Sequence, residues 1–539
     1  MNRCRKWPAV CLALVAAFYS ATNGSDLTGK KDPARQALAQ LETLKTDANG
    51  TTSVFYDYVE DGILKGGRSV IQVPKSNLAT LAAMPLYNAY TLIDNGPSDN
   101  RIDLVFVGDG YTADEMDIYL GHVLNVIASF FNEPPLDTYA NYFNVHVVEV
   151  ISNESGVDEP DYGIYRDTAL DMAFNCSGIP RLLCVDYGKA WAAAENARDV
   201  DLVLAIANTT RYGGAGYTKL STLAGGNDEA VELALHEYGH SFAGLHDEYD
   251  YADGATYTGS EPTNPNVSIY NAAAQSAEYR KWYRWLDLPE VDAFEGAAYC
   301  QYGIYRPTEN SKMRALGYPF GPVNAEQFVF SIYNYLSPID AVSPVSSDVL
   351  QSSTVFSITP QNPVNHTLSI EWLIDAAPIP GANEINFCPD AYMAVNTVQT
   401  LTARVSDGTA SVRDENKREA LLTDQHNWLV WKASADFTSD GIVDMADLYE
   451  MALRWLLTVP AYDVAPPGGD GIVNFRDFAA LANQWQSDDP INMTAWYEMF
   501  LTWLVDERDF DIAPPGRDGI VNFQDFAVLS TQWQGPGNP

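Results

Sequence analysis

The stretch VELALHEYGHSFAGLHDEY, residues 231–249, contains the pattern H-E-x-x-H, and the rest of the chain can be interpreted outward from it. In a helix, residues i and i+4 lie one turn apart on the same face, so His236 and His240 can offer two imidazole nitrogens to one metal ion. Zn²⁺ prefers nitrogen ligands of this kind. Glu237 lies next to the first histidine, close enough to take a proton from a metal-activated water. The pattern predicts a zinc site with Glu237 as the general base.

The residues around this pattern favour a helix with one apolar face. Apolar side chains recur at alternating spacings of four and three residues: Val231, Leu235, Tyr238, Phe242 and Leu245. This periodicity is typical of an amphipathic helix. An ordinary core helix with two solvated histidines would show the same stripe, but the glycine and the His-Asp pair that follow favour the metal site.

The third metal ligand has two candidates just beyond the helix. The metzincin pattern H-E-x-x-H-x-x-G-x-x-H/D ends on His246, although Ala243 then stands where the pattern has glycine. Counting Gly-x-x-ligand from Gly244 gives Asp247 instead. Both side-chain types bind zinc. A distant glutamate is a further possibility, so the spacing leaves the choice open.

Composition limits the classes of function. With 539 residues, 46% of them apolar, the chain is long enough for three or four domains with substantial cores. Its net charge of -39, from 71 acidic and 32 basic residues, argues against nucleic-acid binding, which requires Lys and Arg at the phosphates. The acidity indicates either a solvated surface or calcium-binding loops.

The N-terminus predicts export. A basic start, MNRCRK, precedes a short apolar run over residues 9–18, which is typical of a signal peptide and too short to span a membrane. We assign residues 1–24 to this signal and expect a secreted, extracellular protein. The cysteines that remain are Cys176, Cys184, Cys300 and Cys388. An exported chain permits disulfides, and the short loop between the first two favours a bridge there.

The first half of the chain predicts two domains. Alternating stretches in residues 25–98 predict a small β-rich N-terminal domain. Buried-strand runs then alternate with helical segments: strands at 101–111, 144–150 and 201–207, helices at 114–132 and 188–198. That alternation is typical of an α/β domain with a largely parallel sheet, which we place at residues 99–338.

Two segments near the zinc motif bear on the site. The glycine-rich segment RYGGAGY, residues 211–217, is either a sheet edge that pairs with an extended peptide or a flexible loop. Met313 lies downstream in a turn-rich context. A lone methionine usually fills core space, but this position suggests a Met-turn, the apolar floor beneath the metal in metzincins.

On these residues the chain resembles the M64 family of zinc endopeptidases, known for immunoglobulin A proteinases. The matching pieces are DLVFVGDGYT at residues 103–112, the span 236–249, and the stretch NSKMR to Pro322. The resemblance covers roughly residues 50–338. It implies a small β domain before a metzincin-like zinc peptidase domain, and it favours Asp247 as the third ligand, with His246 as the alternative.

Residues 339–433 change character. Stretches that alternate with period two, such as 352–358, 367–374 and 399–405, are separated by turns rich in Pro and Asn. This pattern predicts an immunoglobulin-like β-sandwich with an accessory role.

The C-terminal tail is repetitive and acidic. Its first loop has the oxygen ligands of an EF-hand at Asp436, Thr438, Asp440, Ile442 (through its carbonyl), Asp444 and Asp447. Two further loops share the second half of the pattern, at Asp470, Asn474 and Asp477 and at Asp518, Asn522 and Asp525. In both, the first half is expanded around Ala-Pro-Pro-Gly. Ordinary Asp/Gly turns would be the alternative explanation.

The tail therefore resembles dockerin type I modules, α-helical and EF-hand-like, in two units at residues 434–487 and 488–539. The resemblance implies Ca²⁺ as a cofactor and a cohesin-like or cell-surface partner.

Together these features predict a secreted multidomain zinc endopeptidase that hydrolyses peptide bonds of protein substrates. The alternative is a catalytically inactive extracellular binding or scaffolding protein that acts through its calcium-binding tail. The intact pattern of His236, Glu237 and His240 favours the enzyme.

Overall fold

A computed structural model describes residues 51–60, 63–72, 78–466 and 468–485. The expected signal peptide and the second dockerin-like unit lie outside these residues. Within them, no helix has the length and apolar character that a membrane span requires. The chain divides into two compact units, the first formed by Met1–Asp340, Pro360–Ser369 and Val405–Asp424, the second by Ala341–Thr359, Ile370–Arg404 and Gln425–Pro539.

The first unit contains an eight-stranded mixed sheet. Its strands are β1 (Thr51–Glu60), β2 (Ile63–Gln72), β3 (Asn88–Ile93), β4 (Ile102–Asp109), β5 (Phe143–Glu149), β6 (Leu202–Ala207), β7 (Gly214–Tyr217) and β8 (Leu220–Ala224). They lie in the order β2-β1-β7-β8-β6-β4-β5-β3. The four central strands β8, β6, β4 and β5 are parallel, and antiparallel strands flank them at both ends. The predicted α/β architecture is confirmed, with a mixed rather than largely parallel sheet.

The α-helices before residue 340 are α1 (Leu78–Ala82), α2 (Met116–Phe130), α3 (Tyr187–Ala194), α4 (Ala230–Ser241), α5 (Ala272–Glu278) and α6 (Pro322–Tyr333). Of these, α2, α4 and α6 pack on one face of the sheet, and α1 and α3 pack on the other. Successive side chains of a strand point to opposite faces. Leu104 and Phe106 of β4 thus enter a core with α2, α4 and α6, whereas Val105 and Val107 enter a second core with α3. A separate antiparallel pair, β9 (Val291–Ala297) and β10 (Cys300–Thr308), follows α5.

The N-terminal strands differ from the sequence prediction. They were expected to form a separate domain over residues 25–98, yet β1 and β2 lie at one end of the eight-stranded sheet and β3 lies at the other. Consequently β7, the glycine-rich segment, is not an edge strand, because β1 pairs with it and sets Phe55 opposite Gly216. Alternation identifies strands but carries no information about which strands become neighbours.

Of the four cysteines, Cys176 and Cys184 form the expected disulfide, while Cys300 and Cys388 are free.

The second unit begins with two packed sheets. Their strands are β11 (Ile339–Ser343), β12 (Leu350–Gln351), β13 (Phe356–Pro360), β14 (Ser369–Ile374), β15 (Ala377–Pro378), β16 (Asn386–Phe387), β17 (Val398–Ser406) and β18 (Thr423–Trp431). One sheet has the order β11-β13-β16 and the other β12-β18-β17-β14-β15. Aromatic rings join them: Trp372 stacks on Phe387 at 5.0 Å between ring centroids, and Phe356 meets Trp428 at 5.1 Å. Such interdigitation is typical of a sandwich core. An immunoglobulin-like topology stays a prediction.

The domain expected at residues 339–433 is not one continuous segment of the second unit. The segments Pro360–Ser369 and Val405–Asp424, which include α7 (Glu415–Leu421), belong to the first unit. There the carboxylate of Asp407 accepts hydrogen bonds from the hydroxyls of Tyr139 at 2.7 Å and Tyr333 at 2.8 Å. These buried bonds hold the returning chain in the first unit.

The described part of the tail forms two short helices, α8 (Met445–Ala452) and α9 (Phe475–Asn483). Each begins with a capping box, Asp444 with Asp447 and Asn474 with Asp477. Apolar residues from both helices share one core, among them Leu448, Met451, Phe478 and Leu481.

Candidate metal centre

Helix α4 carries both histidines of the H-E-x-x-H pattern. After α4 ends at Ser241, the chain turns through Gly244, whose φ of +64° lies in the left-handed region that glycine adopts without steric cost. The amide of Leu245 donates to the carbonyl of Gly239 at 3.0 Å and closes this turn. The reversal brings Asp247 alongside the two histidines.

Three donor atoms converge beside α4. His236 Nε2 lies 3.1 Å from both Asp247 Oδ1 and His240 Nε2, and His240 Nε2 lies 3.3 Å from Asp247 Oδ1. A tetrahedral zinc ion with bonds of about 2.0–2.1 Å holds its ligand atoms about 3.3 Å apart. The spacing therefore fits one such ion. Across the described residues, this is the one group of three His, Cys, Asp or Glu donors close enough to share a metal.

The other ring nitrogens fix the orientation of both imidazoles. His236 Nδ1 donates to the carbonyl of Lys312 at 2.9 Å, and His240 Nδ1 donates to the carbonyl of Leu245 at 2.8 Å. Because a carbonyl only accepts, Nδ1 carries the proton in each neutral ring and Nε2 presents its lone pair. Two nitrogen lone pairs then face a carboxylate oxygen. A cation between them offsets their repulsion, so the chemistry of the donor set also fits a metal.

Asp247 is held from both sides. Its Oδ2 accepts a hydrogen bond from the hydroxyl of Tyr299 at 2.5 Å, while its Oδ1 faces the histidines. Burial alone would raise the pKa of Asp247, but with no ion in place the positive charge of His240 and hydrogen bonds donated by His236 and His240 hold that pKa below its usual range, an effect that a bound cation would also have. The side chain therefore stays ionised, which is the form that binds a metal.

His246, the other candidate for the third ligand, does not join the group. Its Nδ1 lies 3.3 Å from the backbone carbonyl oxygen of Asp247, and its ring packs against Tyr299 at 5.6 Å between centroids. Burial lowers the pKa of His246. The structure thus brings Asp247 to the two histidines, and within its described residues no glutamate joins them.

Glu237 is completely buried on α4 and faces strand β7. A methyl group added to Gly216 of that strand would lie 2.8 Å from Glu237 Oε2, closer than such contacts normally allow. The sheet can approach the carboxylate this closely only because residue 216 is a glycine. The sequence drew attention to the glycine-rich segment 211–217 but did not single out this glycine.

Met313 packs beneath α4. A methyl group on Gly239, the residue before His240, would lie 2.7 Å from Met313 Sδ, and the thioether is completely buried. The carbonyl of Met313 accepts from the amide of Glu248 at 2.8 Å, which ties this turn to the loop that carries Asp247. The role of Met313 as a methionine floor beneath a metal stays a prediction.

Glu248 braces the loop next to Asp247. Its buried carboxylate accepts hydrogen bonds from Ser311 Oγ at 2.6 Å, Asn266 Nδ2 at 2.8 Å and Asn324 Nδ2 at 2.8 Å. Burial raises the pKa of Glu248, and these three donors act in the opposite direction. Glu248 thereby links the loop that carries Asp247 to three other segments, which contain Asn266, Ser311 and Asn324.

Two aromatic residues at the centre were not anticipated. Tyr299, which bonds Asp247, lies in the turn between β9 and β10 at a φ of +68°, a conformation that tyrosine rarely adopts. Phe55 of β1 stacks on the imidazole of His240 with ring centroids 4.1 Å apart and planes 9° from parallel. Neither residue lies near the zinc motif in sequence, so no local signal identified them.

The first acidic loop of the second unit is held by its own backbone. Asp436 accepts from the amides of Asp440 at 3.2 Å and Gly441 at 2.9 Å. Asp447 accepts from the amide of Thr438 at 2.9 Å. The two carboxylates therefore hold the loop closed through backbone amides. Calcium binding stays a prediction for its candidate residues, which also include Ile442 and Asp444.

The second loop has hydrogen bonds like those of the first loop, although its first half is expanded. Asp463 accepts from the amides of Asp470 at 3.0 Å and Gly471 at 2.6 Å, as Asp436 does in the first loop. Asp477 accepts from the amide of Asn474 at 2.7 Å. Asp463 is thus a ligand candidate absent from the predicted set. The third loop, with Asp518, Asn522 and Asp525, lies outside the described residues.

Residues 90–290 match the sequence model of a family described as IgA Peptidase M64. The matched segment contains β4 to β8, α4 and the loop with Asp247, and it ends before Met313. The match supports the resemblance drawn from the motifs, a metallopeptidase function and a protein substrate. No curated protein matches the chain.

Proposed function

We propose that the chain is a zinc-dependent, metzincin-like endopeptidase with His236, His240 and Asp247 as metal ligands. The observation that carries the proposal is the convergence of two imidazole lone pairs and one carboxylate oxygen within 3.3 Å of one another. Zinc, when bound, supplies Lewis acidity for attack on a peptide carbonyl. The match to the M64 family supports the same reaction class.

The remaining chemistry belongs to side chains of this chain. Glu237 takes the proton of the attacking water and passes it to the leaving amine. Its neighbour Gly216 keeps β7 against the carboxylate, which fixes the position of the base. Met313 forms the apolar floor, in the manner of a Met-turn, and Tyr299 and the backbone carbonyl of Lys312 orient the ligands.

The decisive experiment compares zinc content and casein cleavage in wild type and Glu237→Gln. Removal of a general base at constant shape lowers kcat by about 10²–10⁴-fold, and we expect zinc content to stay at that of wild type. Asp440→Asn, in the acidic loop of the second unit, serves as the matched carboxylate-to-amide control and should cleave casein at the wild-type rate. Equal cleavage by Glu237→Gln and wild type would remove the catalytic assignment.

Export and calcium binding complete the proposal. The basic and apolar start of the sequence supports secretion, and N-terminal sequencing of protein from culture medium would show cleavage near residue 24. The matching hydrogen bonds of Asp436 and Asp463 support two calcium sites in the dockerin-like tail. Calorimetric titration with Ca²⁺ tests this directly, and a stoichiometry below two ions would contradict it.

The alternative of an inactive binding protein rests on the same tail, which could dock onto a cohesin-like or cell-surface partner. Binding of a cohesin panel by the Glu237→Gln chain would support docking independently of cleavage. If that variant binds while wild type cleaves no protein substrate, the binding role becomes the primary one.

A further inference from the structure

Strand β1 lies where a substrate would meet the sheet. Strand β7 lies beside Glu237, since a methyl group at Gly216 would lie 2.8 Å from Glu237 Oε2 and 3.7 Å from His240 Cβ. An extended peptide that pairs with β7 would therefore pass directly beside the base. In the structure β1 takes this place, antiparallel to β7, with Phe55 opposite Gly216.

The side chains of the β1–β2 hairpin close the centre. Phe55 covers the imidazole of His240 at 4.1 Å and meets His246 edge-on at 6.0 Å. On β2, the backbone carbonyl of Gly66 accepts a hydrogen bond from the hydroxyl of Tyr251. The ring of Tyr251 in turn stacks on that of Tyr299. The hairpin thus contacts the ligand His240 directly through Phe55 of β1, and β2 reaches Asp247 indirectly through Tyr251 and Tyr299.

The β1–β2 hairpin is paired along the whole length of its two strands, so it can move as a unit. Among the described residues, ten pairs join β1 to β2, and the pair Phe55–Gly216 sets the register of β1 on β7. Its inward side chains, Val54 and Ile71, lie in the core on the opposite face of the sheet from α4. Departure of β1 would expose the backbone amides and carbonyls of β7, which recognise an extended peptide through main-chain hydrogen bonds.

We propose that β1 occupies on β7 the strand position of an extended peptide substrate, so that the β1–β2 hairpin is a displaceable internal competitor. The competition with substrate rests on the proposed endopeptidase function, whereas the position of β1 on β7 does not depend on that function. Substrate binds only the fraction of molecules in which the hairpin has moved away. Such occlusion raises the apparent KM and leaves kcat unchanged.

Access to His240 tests the geometry without any need for activity. The full-length, zinc-free protein is treated with diethyl pyrocarbonate, and carbethoxylation of His240 is followed by peptide mass spectrometry with His426 as the internal reference. Removing the stacked ring in Phe55→Ala should speed modification by at least about fivefold through more frequent opening. Val70→Ala, an exposed change on the same hairpin, should match wild type. Equal rates in Phe55→Ala and wild type would overturn the proposal.

Kinetics and a peptide test the competition. Phe55→Ala should cleave casein with KM lowered by about tenfold and kcat unchanged. A synthetic peptide of residues 51–60, TTSVFYDYVE, should inhibit that variant competitively, and the same peptide with Phe55→Ala should inhibit it far less. A raised KM in Phe55→Ala would instead make Phe55 part of the substrate site and sink the proposal.

Two failures remain distinguishable. If Glu237→Gln cleaves casein like wild type, the endopeptidase assignment fails, and the labelling of His240 still decides whether the hairpin covers it. If Phe55→Ala does not fold, as judged by circular dichroism, Phe55→Leu replaces it, because leucine keeps an apolar side chain but cannot stack on an imidazole.

Discussion

The metal centre of the first unit and the acidic loops of the second present their carboxylates in opposite ways. At the centre, Asp247 is completely buried and faces two imidazole nitrogens. In the loops, Asp436 and Asp463 accept hydrogen bonds from amides of their own loop. The loop carboxylates are therefore partly satisfied by backbone amides, whereas Asp247 faces two imidazole nitrogens that a metal ion could bind together with it.

This difference implies that an ion matters more to the first site than to the second. Removing a ligand or a support from the centre should abolish or disorder the site, while a comparable change in a loop should cost only a modest part of local stability. Four predictions test the contrast.

Replacing a ligand should have the largest effect. His240→Ala and Asp247→Ala should each weaken zinc binding by more than the roughly 10–100-fold that is typical of changes to groups around the ligands. His246→Ala, one residue from Asp247, should keep its zinc because its imidazole lies outside the group. Zinc content after dialysis against a weak chelator measures this. Loss of zinc from His246→Ala but not from Asp247→Ala would reverse the ligand assignment.

Crowding the general base should have the next largest effect. In Gly216→Ala, the new methyl would meet Glu237 Oε2 at 2.8 Å and displace the carboxylate. A misplacement of about 1 Å can lower the rate about 10²-fold. Gly121→Ala on α2 is the matched control, since nothing lies within 4 Å of the added methyl. Casein kinetics at saturating zinc give the result, and an unchanged kcat in Gly216→Ala would show that this contact does not position the base.

Removing the hydroxyl that holds Asp247 should have a smaller effect. Tyr299→Phe deletes one hydrogen bond to the ligand's outer oxygen and leaves the ring in place. We expect zinc affinity to fall by about tenfold, at the lower end of the range for groups that orient a ligand. Competition with a fluorescent zinc chelator measures it. Tyr302→Phe, an exposed tyrosine on β10, is the matched control and should bind zinc like wild type.

The loops should show the smallest effect. Asp463→Ala removes acceptors for two amides and should lower the free energy of unfolding of the tail by about 1–2 kcal/mol. It should also reduce the stabilisation by added Ca²⁺. Thermal unfolding with and without Ca²⁺ measures both, with Glu384→Gln in the sandwich as control. A loss of zinc in Asp463→Ala would break the contrast between the two sites.

The parts of the centre that the sequence predicted are those fixed by local geometry. His236, Glu237 and His240 follow from helical spacing, and the glycine turn carries the chain on to Asp247 within a few residues. The strands β4, β5 and β6 could also be predicted from the sequence, because buried parallel strands appear as continuous apolar runs.

The remaining parts depend on contacts between segments far apart in sequence. Phe55 reaches His240 only because β1 pairs with β7, and Tyr299 reaches Asp247 only because the β9–β10 turn holds it at positive φ. Alternating hydrophobicity predicted the strands of the N-terminal region but not their membership of the main sheet. Asp463 was left out of the predicted calcium ligands because an insertion obscures the spacing of its loop.

Met313 has a consequence for how the molecule ages. Its thioether is sealed beneath α4 against Gly239, so an oxidant reaches the sulfur only when the helix lifts from its floor. A sulfoxide oxygen needs space that the closed packing does not offer. Oxidised Met313 would therefore mark molecules in which α4 had once lifted and could no longer pack back. The fraction of Met313 sulfoxide would record how often the helix had opened in the presence of an oxidant.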